Sequence, residues 1–368
     1  MKPAFIPFEK AFLDVTGGNN KLQTTQYSPT GLYPVIDQGE SFIGGYTNDP
    51  KSLCAAIPPV ILFGDHTKVF KYVDFPFCLG ADGVKVLRPA EGIFPKYGFY
   101  FLRSLILPSV GYSRHFKFLK EFEVPLPPLS EQRRIAAILD SADAIRTKRK
   151  AAIAKLDELA QALFLEMFGD PVRNEKGWAQ STLGEIGTIT TGNTPARSEA
   201  GNFGSHLEWI KSDNVTNEYP TLTKATEFLS KKGASIARLV GPGAVLVVCI
   251  AGSPDSIGRA ALADRTVAFN QQINAISPRE DMDEYFLLQA IRYSKKCILS
   301  YSTNSMKGMI SKSVFEGIPL IVPPIRLQEM YSERYTSILS VKKSHSATSE
   351  SENRLFSSLQ HRAFAGEL

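Results

Sequence analysis

Pro127-Pro128-Leu129-Ser130-Glu131-Gln132 reappears as Pro323-Pro324-Ile325-Arg326-Leu327-Gln328, every position 196 residues further along the chain. The correspondence runs on without a gap, with Leu163 falling on Leu359 and Phe168 on Phe364. Loops gain and lose residues freely, so a gapless repeat of this length points to two copies of one rigid element. Pro125, Pro127 and Pro128 forbid a helix upstream, Ser130 is a good N-cap, and Glu131 suits the positive end of the helix dipole. Gly169 and Pro171 stop the chain at the far end. No Gly or Pro interrupts residues 129–168, which predicts one helix of roughly 60 Å at about 1.5 Å per residue.

A helix of that length needs a partner for its apolar stripe. Ile135, Ile138, Ala142, Ile145, Ala152, Leu156, Leu159 and Leu163 fall at spacings of three, four and seven, and Leu139, Ile153, Phe164 and Phe168 widen the stripe. The second copy offers Tyr331, Tyr335, Ile338, Val341, Thr348, Leu355 and Leu359. The two helices are therefore expected to pack on each other along these positions. Residues 344–352 of the second copy are polar almost throughout. Poorer packing, or cover from another subunit, is expected there.

The regions ahead of each helix repeat more loosely. Val15-Thr16-Gly17 matches Thr190-Thr191-Gly192 at an offset of 175, and Val84 to Pro89 matches Ile273 to Pro278 at 189. Phe101-Leu102-Arg103 matches Ala290-Ile291-Arg292 at the same 189. An offset that climbs toward 196 describes one fold whose loops differ in length between the copies. Short strand-like runs bounded by Gly and Pro, such as Val60–Phe63 and Val245–Ile250, alternate with short helical stretches near 96–106 and 283–296. The fold class read from this is α+β: two similar globular domains, each followed by a long helix, the helices forming an antiparallel coiled coil with pseudo-two-fold symmetry. The boundaries are 1–126 for the first domain, 127–171 for the central helix, 172–322 for the second domain and 323–368 for the last helix.

At 368 residues the chain has room for two cores, and 43% hydrophobic with 21% charged residues is an ordinary globular composition. Forty-two Lys and Arg against thirty-seven Asp and Glu give a net charge of +5, which permits a polyanionic partner without demanding one. Cys54, Cys78, Cys249 and Cys297 lack CxxC spacing, and reduced buried thiols are expected. Residues 1–20 carry no signal-peptide apolar core, and the longest apolar run, Ala244 to Ala251, is too short to span a bilayer. A cytoplasmic protein with no membrane partner is expected.

The helix opening Pro127 to Asp140, its recurrence one repeat later and the ending Phe364-Ala365-Gly366-Glu367-Leu368 resemble the specificity (S, or HsdS) subunits of type I restriction–modification enzymes. Tyr33-Pro34-Val35-Ile36, Gly80-Ala81-Asp82-Gly83, Ser113 to Lys117, Trp209-Ile210-Lys211 and Asn270-Gln271-Gln272 look like segments of the same family. The departure is the polar middle of the second helix. The resemblance implies a target-recognition domain in each globular region, each reading one half of an asymmetric bipartite site on double-stranded DNA, with the helices as a ruler. It also implies two methylation subunits and restriction subunits as partners. S-adenosylmethionine, ATP and Mg²⁺ would belong to those partners, leaving this chain without cofactor, metal or catalytic residues.

The residues themselves agree with a non-catalytic role. There is no phosphate-binding Gly-x-x-x-x-Gly-Lys loop and no Asn/Asp-Pro-Pro-aromatic motif of base-modifying methyltransferases, and the five histidines are scattered. Base readers are expected among long polar side chains near cationic phosphate anchors. In the first domain the candidates are Tyr112, Arg114, His115 and Lys117, with Lys68, Lys71 and Gln38. In the second they are Asn270, Gln271 and Gln272, then Arg197, Lys211, Ser212 and Asn214, and Lys307. For each, a plain structural role stands beside the functional one: flanking a core aromatic, shaping a turn or satisfying loop backbone. Arg146 to Lys150 is the densest charge run, read as a solvated helix face, a phosphate contact or a docking surface. Two other functions remain in view, a scaffold whose duplicated domains bind protein rather than DNA, and a nuclease or methyltransferase acting alone.

Overall fold

Pro127 and Pro128 do separate a strand, Glu123–Leu126, from an unbroken helix, Leu129–Phe168; the second copy gives Pro319–Ile321 and then Ile325–Ala365. Ser130 lies inside the first turn and not at the N-cap, because the Glu131 and Gln132 amides already bond the Pro128 carbonyl. The computed structural model describes residues 4–108, 114–199, 201–303 and 308–368. Two compact units divide the chain: residues 1–152 with 345–368, and residues 153–344. Each long helix therefore contributes one part to each unit.

In the first unit, Phe12–Asp14, Val84–Pro89, Val60–Gly64 and Phe70–Val73 form an antiparallel sheet in that order. A second, mixed sheet runs Lys21–Leu22, Cys78–Gly80, Tyr33–Ile36, Gly45–Thr47. The second unit repeats the plan. Its antiparallel sheet is Gly187–Thr191, Ile273–Pro278, Val245–Val248, Ala260–Leu262, and its mixed sheet is Phe228–Leu229, Phe203–Ile210, Val267–Phe269, Leu239–Val240. The offset of 189 holds for whole elements, since helix Pro95–Ser104 matches helix Glu284–Tyr293. A strand from the start of each region, Ala4–Pro7 or Gln180–Thr182, pairs antiparallel with the strand that enters the long helix.

The repeated glutamine explains the repeated motif. Gln132 is 1% exposed; its Oε1 accepts from the Phe94 amide at 2.8 Å, and its Nε2 donates to the Gly92 and Pro127 carbonyls, both at 2.9 Å. Gln328, 0% exposed, does the same with the Asp283 amide (3.0 Å), the Pro323 carbonyl (2.7 Å) and the Asp281 carbonyl (3.5 Å). One side chain thus ties the start of each long helix to the loop that begins the short helix before it. A buried amide satisfying three backbone groups has no isosteric substitute.

Shielded positions on the central helix recur as Ile135, Leu139, Ala142, Arg146, Arg149, Ile153, Leu156, Ala160, Leu163 and Met167. On the last helix they are Gln328, Tyr331, Tyr335, Ile338, Lys342, His345, Ser349, Glu352, Phe356, Leu359 and Ala363. Both runs alternate steps of three and four, the spacing of a coiled-coil seam. The seam passes through polar residues. Within the first unit Arg149 holds Glu352 through two nitrogens at 2.9 and 3.0 Å and meets His345 at 3.1 Å, while Arg146 donates to Asn353 at 2.8 Å. Within the second, Lys342 pairs with Asp157 at 2.5 Å. These partners run in opposite directions along the two helices, so the pairing is antiparallel.

Five seam positions read from the sequence lie elsewhere. Ile145, Leu159, Val341 and Leu355 are 53, 52, 47 and 57% exposed, and Thr348 is exposed as well, each one residue before a shielded position. Following apolar residues alone skipped Arg146 and Lys342 and rotated the stripe by one helical step of about 100°. Ile138 and Ala152 precede shielded positions in the same way and are half-buried, whereas Ile135, Ala142, Leu156, Leu163, Tyr331, Tyr335, Ile338 and Leu359 lie in the seam. The polar middle of the last helix is not poorly packed: arginines of the central helix meet it.

Candidate nucleic-acid interface

Polar candidates converge where two parallel strands end side by side. In the first unit Tyr33–Ile36 pairs in parallel with Cys78–Gly80, which brings Asp37 and Gln38 to the Ala81-Asp82-Gly83 loop. In the second, Phe203–Ile210 pairs in parallel with Val267–Phe269, with Trp209 beside Ala268 and Ile210 beside Phe269. That register brings Lys211 and Ser212 to Asn270, Gln271 and Gln272. The two clusters arise from the same topology and carry different side chains.

Around the first, the hairpin turn at Asp65 organises the basic segment. Asp65 is 4% exposed; its carboxylate accepts from the Phe116 amide at 2.7 Å, and its carbonyl meets both the amide and Nδ1 of His115 at 2.9 Å. His115 is 2% exposed and serves as an anchor in this conformation, while Arg114 and Lys117 on either side of it are exposed. Gln38 is half-buried; its Oε1 accepts from the His66 amide at 3.3 Å and its carbonyl accepts from Thr67 at 2.6 Å. Gly83 has φ 79°, and a Cβ there would lie 2.8 Å from His66 Cδ2 and 3.1 Å from the Gln38 amide oxygen, so glycine suits both the backbone conformation and the close approach of the two loops. Lys68 donates to the Pro108 carbonyl at 3.1 Å from a left-handed backbone, φ 62°. Lys71 is buried, with its ammonium held by the Asp37 and Ser41 carbonyls at 2.8 and 2.5 Å; burial lowers its pKa, with Asp37 opposing. Tyr112 lies outside the described residues, as does Lys307.

In the second cluster the Asn270 side chain closes a turn on Gln272, donating to its Oε1 at 2.9 Å and accepting from its amide at 3.1 Å. Ser212 reaches the same Gln272 oxygen at 3.4 Å. Gln271 is exposed and its Oε1 accepts from Thr194. Asn214 is buried in backbone duty, bound to the Lys211 amide and the Lys224 carbonyl, both at 3.0 Å. Arg197 and Lys211 share the Glu227 carboxylate, and Arg197 lies over the Phe203 and Trp209 rings at 4.7 and 5.5 Å. The hydrogen bond from Lys211, then that from Arg197, holds the Glu227 carboxyl below its ordinary pKa. Trp209 itself is core, 3% exposed.

Asp37, Asp65, Thr194 and Glu227 shape these clusters and were not singled out from the sequence. Their partners lie 16 to 77 residues away along the chain, and no local pattern announces them.

A model of the type I restriction modification DNA specificity domain matches residues 12–155 and again 175–341. The chain belongs to that family. The specificity subunit of the Escherichia coli EcoR124I/EcoR124II type I restriction enzyme is 24% identical over 333 residues, 85% of this chain and 80% of that one. The HindI specificity subunit of Haemophilus influenzae is 25% identical over 200 residues, 52% of this chain and 42% of its own. The solved type I system S subunit from M. genitalium has the same fold, with a TM-score of 0.62 at 16% identity over 99% of both chains. A chain from a structure of type I complex assembly and conformational transition gives 0.55 at 17% identity, covering 100% of this chain and 98% of that one. The double match of the specificity-domain model coincides with the duplication, and no helix of the described residues is long and apolar enough to cross a membrane.

Proposed function

We propose that this chain is the non-catalytic DNA-reading subunit of a type I restriction–modification system, each unit reading one half of an asymmetric bipartite site on double-stranded DNA. The observation that carries this is the pair of equivalent parallel-strand ends bearing unlike polar sets: Gln38 bonded to the turn at Asp65 that anchors the segment of Arg114 and Lys117 in one unit, and Ser212, Gln271 and Gln272 with Arg197 and Lys211 in the other. Gln suits adenine edges and exposed cations suit phosphates. Like topology with unlike side chains supports two half-sites of different sequence. Lys71, His115, Asn214 and Asn270 act in this reading as supports for the reading side chains.

Two methylation subunits would flank the chain and restriction subunits would join them, bringing S-adenosylmethionine, ATP and Mg²⁺. The exposed apolar residues displaced from the seam supply a docking feature. Ile145 with Leu355 in the first unit, and Leu159 with Val341 in the second, occupy equivalent positions beside the seam. A methylation subunit that covers these exposed aliphatics removes their apolar surface from water. Ile145→Asp with Leu355→Asp is expected to weaken methylation-subunit binding at least tenfold in a pull-down titration, while the circular dichroism of the isolated chain stays unchanged.

The deciding experiment assembles the chain with its methylation subunits and maps modified bases genome-wide. One asymmetric split motif is expected; modification without sequence preference would refute DNA reading and favour the protein-scaffold alternative. Replacing Arg114 and Lys117 together with Ala should relax or weaken one half-site only and lower the salt dependence of binding, by roughly 0.9 in log–log slope for each phosphate that is no longer neutralised. Equal relaxation of both halves would argue against independent reading units.

A further inference from the structure

Arg292 is the counterpart of Arg103, at the offset of 189 that relates their two helices. In the first unit Arg103 gives its Nη1 to the Asp143 carboxylate at 2.9 Å. The counterpart of Asp143, 196 residues on, is Leu339. The second copy has kept the guanidinium and lost its acid.

Arg292 is still held in place. Its Nε donates to the Ala260 carbonyl at 3.1 Å, and its Nη2 to the Thr216 and Tyr219 carbonyls at 3.1 and 2.5 Å. Among the described residues its Nη1 has no acceptor, and no carboxylate pairs with the group. Burial lowers its pKa below the ordinary guanidinium value, yet arginine stays charged in proteins. A partly buried guanidinium that carbonyls hold but no carboxylate neutralises keeps its positive charge available to an incoming anion.

The same arginine lines a cavity of about 360 Å³ together with Leu339, Lys342, Asp157 and Glu218. Lys342 and Asp157 neutralise each other as an ion pair at 2.5 Å. Glu218 is exposed and makes no ion pair with Arg292. We propose that this cavity of the second unit binds a small oxyanion of the phosphate class, with Arg292 Nη1 as its charged donor where Arg103 has Asp143. The site lies within one unit, and its test needs neither DNA nor partner subunits.

The test uses the full chain and inorganic phosphate, with sodium chloride at matched ionic strength as the control, read by calorimetric titration and by thermal melting. Wild type should show saturable binding and a rise in Tm that chloride does not reproduce. Leu339→Asp restores the internal acid of the first copy and should weaken phosphate binding more than about tenfold. Leu339→Asn, the same shape without the charge, should keep it. Glu218→Gln alters only an exposed position, so folding is preserved, and removal of its charge should tighten binding roughly threefold at low salt. No saturable response in wild type, wild-type affinity in Leu339→Asp, or unchanged affinity in Glu218→Gln would each overturn the assignment.

Discussion

Gln132→Leu is expected to cost roughly 3–6 kcal/mol, because it removes the hydrogen-bond partner that a side chain only 1% exposed gives to the partly buried Phe94 amide and to the Gly92 and Pro127 carbonyls. Each stranded backbone group costs about 1–3 kcal/mol, and a domain has only about 5–15 kcal/mol in hand. Leucine is close in size, so the loss measures hydrogen bonding more than packing. Gln328→Leu should lose a similar amount, since its three partners are the same backbone groups one repeat on. Urea unfolding of both variants tests this. A loss below about 1 kcal/mol at either position would show that relaxation re-satisfies those groups.

The second large effect concerns the recognised DNA. Seven residues inserted between Lys150 and Ala151, matched by seven between Ser349 and Glu350, preserve the three–four alternation of the seam and leave Arg149 with Glu352 and Asp157 with Lys342. At about 1.5 Å per residue the insertion adds ~10 Å, close to three base pairs of B-DNA at roughly 34 Å per turn. The expected motif keeps both half-sites and gains about three base pairs of spacer. An unchanged spacer, read by methylation mapping, would sink the ruler mechanism. A matched three-residue insertion should instead throw the seam out of phase and lower the melting temperature.

The duplication, both helix starts and the α+β character were legible because they rest on local chemistry. Prolines end strands and open helices, and gapless repetition survives only in rigid elements. The offset of 189 for an entire element followed from the same repeat, whereas the sheet orders and their parallel pairings emerged only in the structure, because strand partners lie far apart along the chain. The candidate interface was legible as residue types more than as contacts. Arg114 and Lys117 stand exposed, but His115 between them is an anchor because an aspartate 50 residues upstream holds it.

The helix pair shows most clearly where local reading stops. Hydrophobicity marked Ile145 and Leu355 as seam; the coil instead takes Arg146, Arg149 and Glu352 inside and leaves the aliphatics out. An arginine can enter a seam only when the facing helix supplies its acceptor, and that acceptor lies about 200 residues away. Likewise, only the assembled second unit reveals that Arg292 has no acid, since its missing partner belongs to another helix. The sequence by itself determined that there are two copies of one plan and where each long helix begins, since proline and repetition act along the chain. The tertiary structure alone decided which polar groups are spent on each other and which are left for a partner, because desolvation and charge pairing act between residues that the chain keeps far apart.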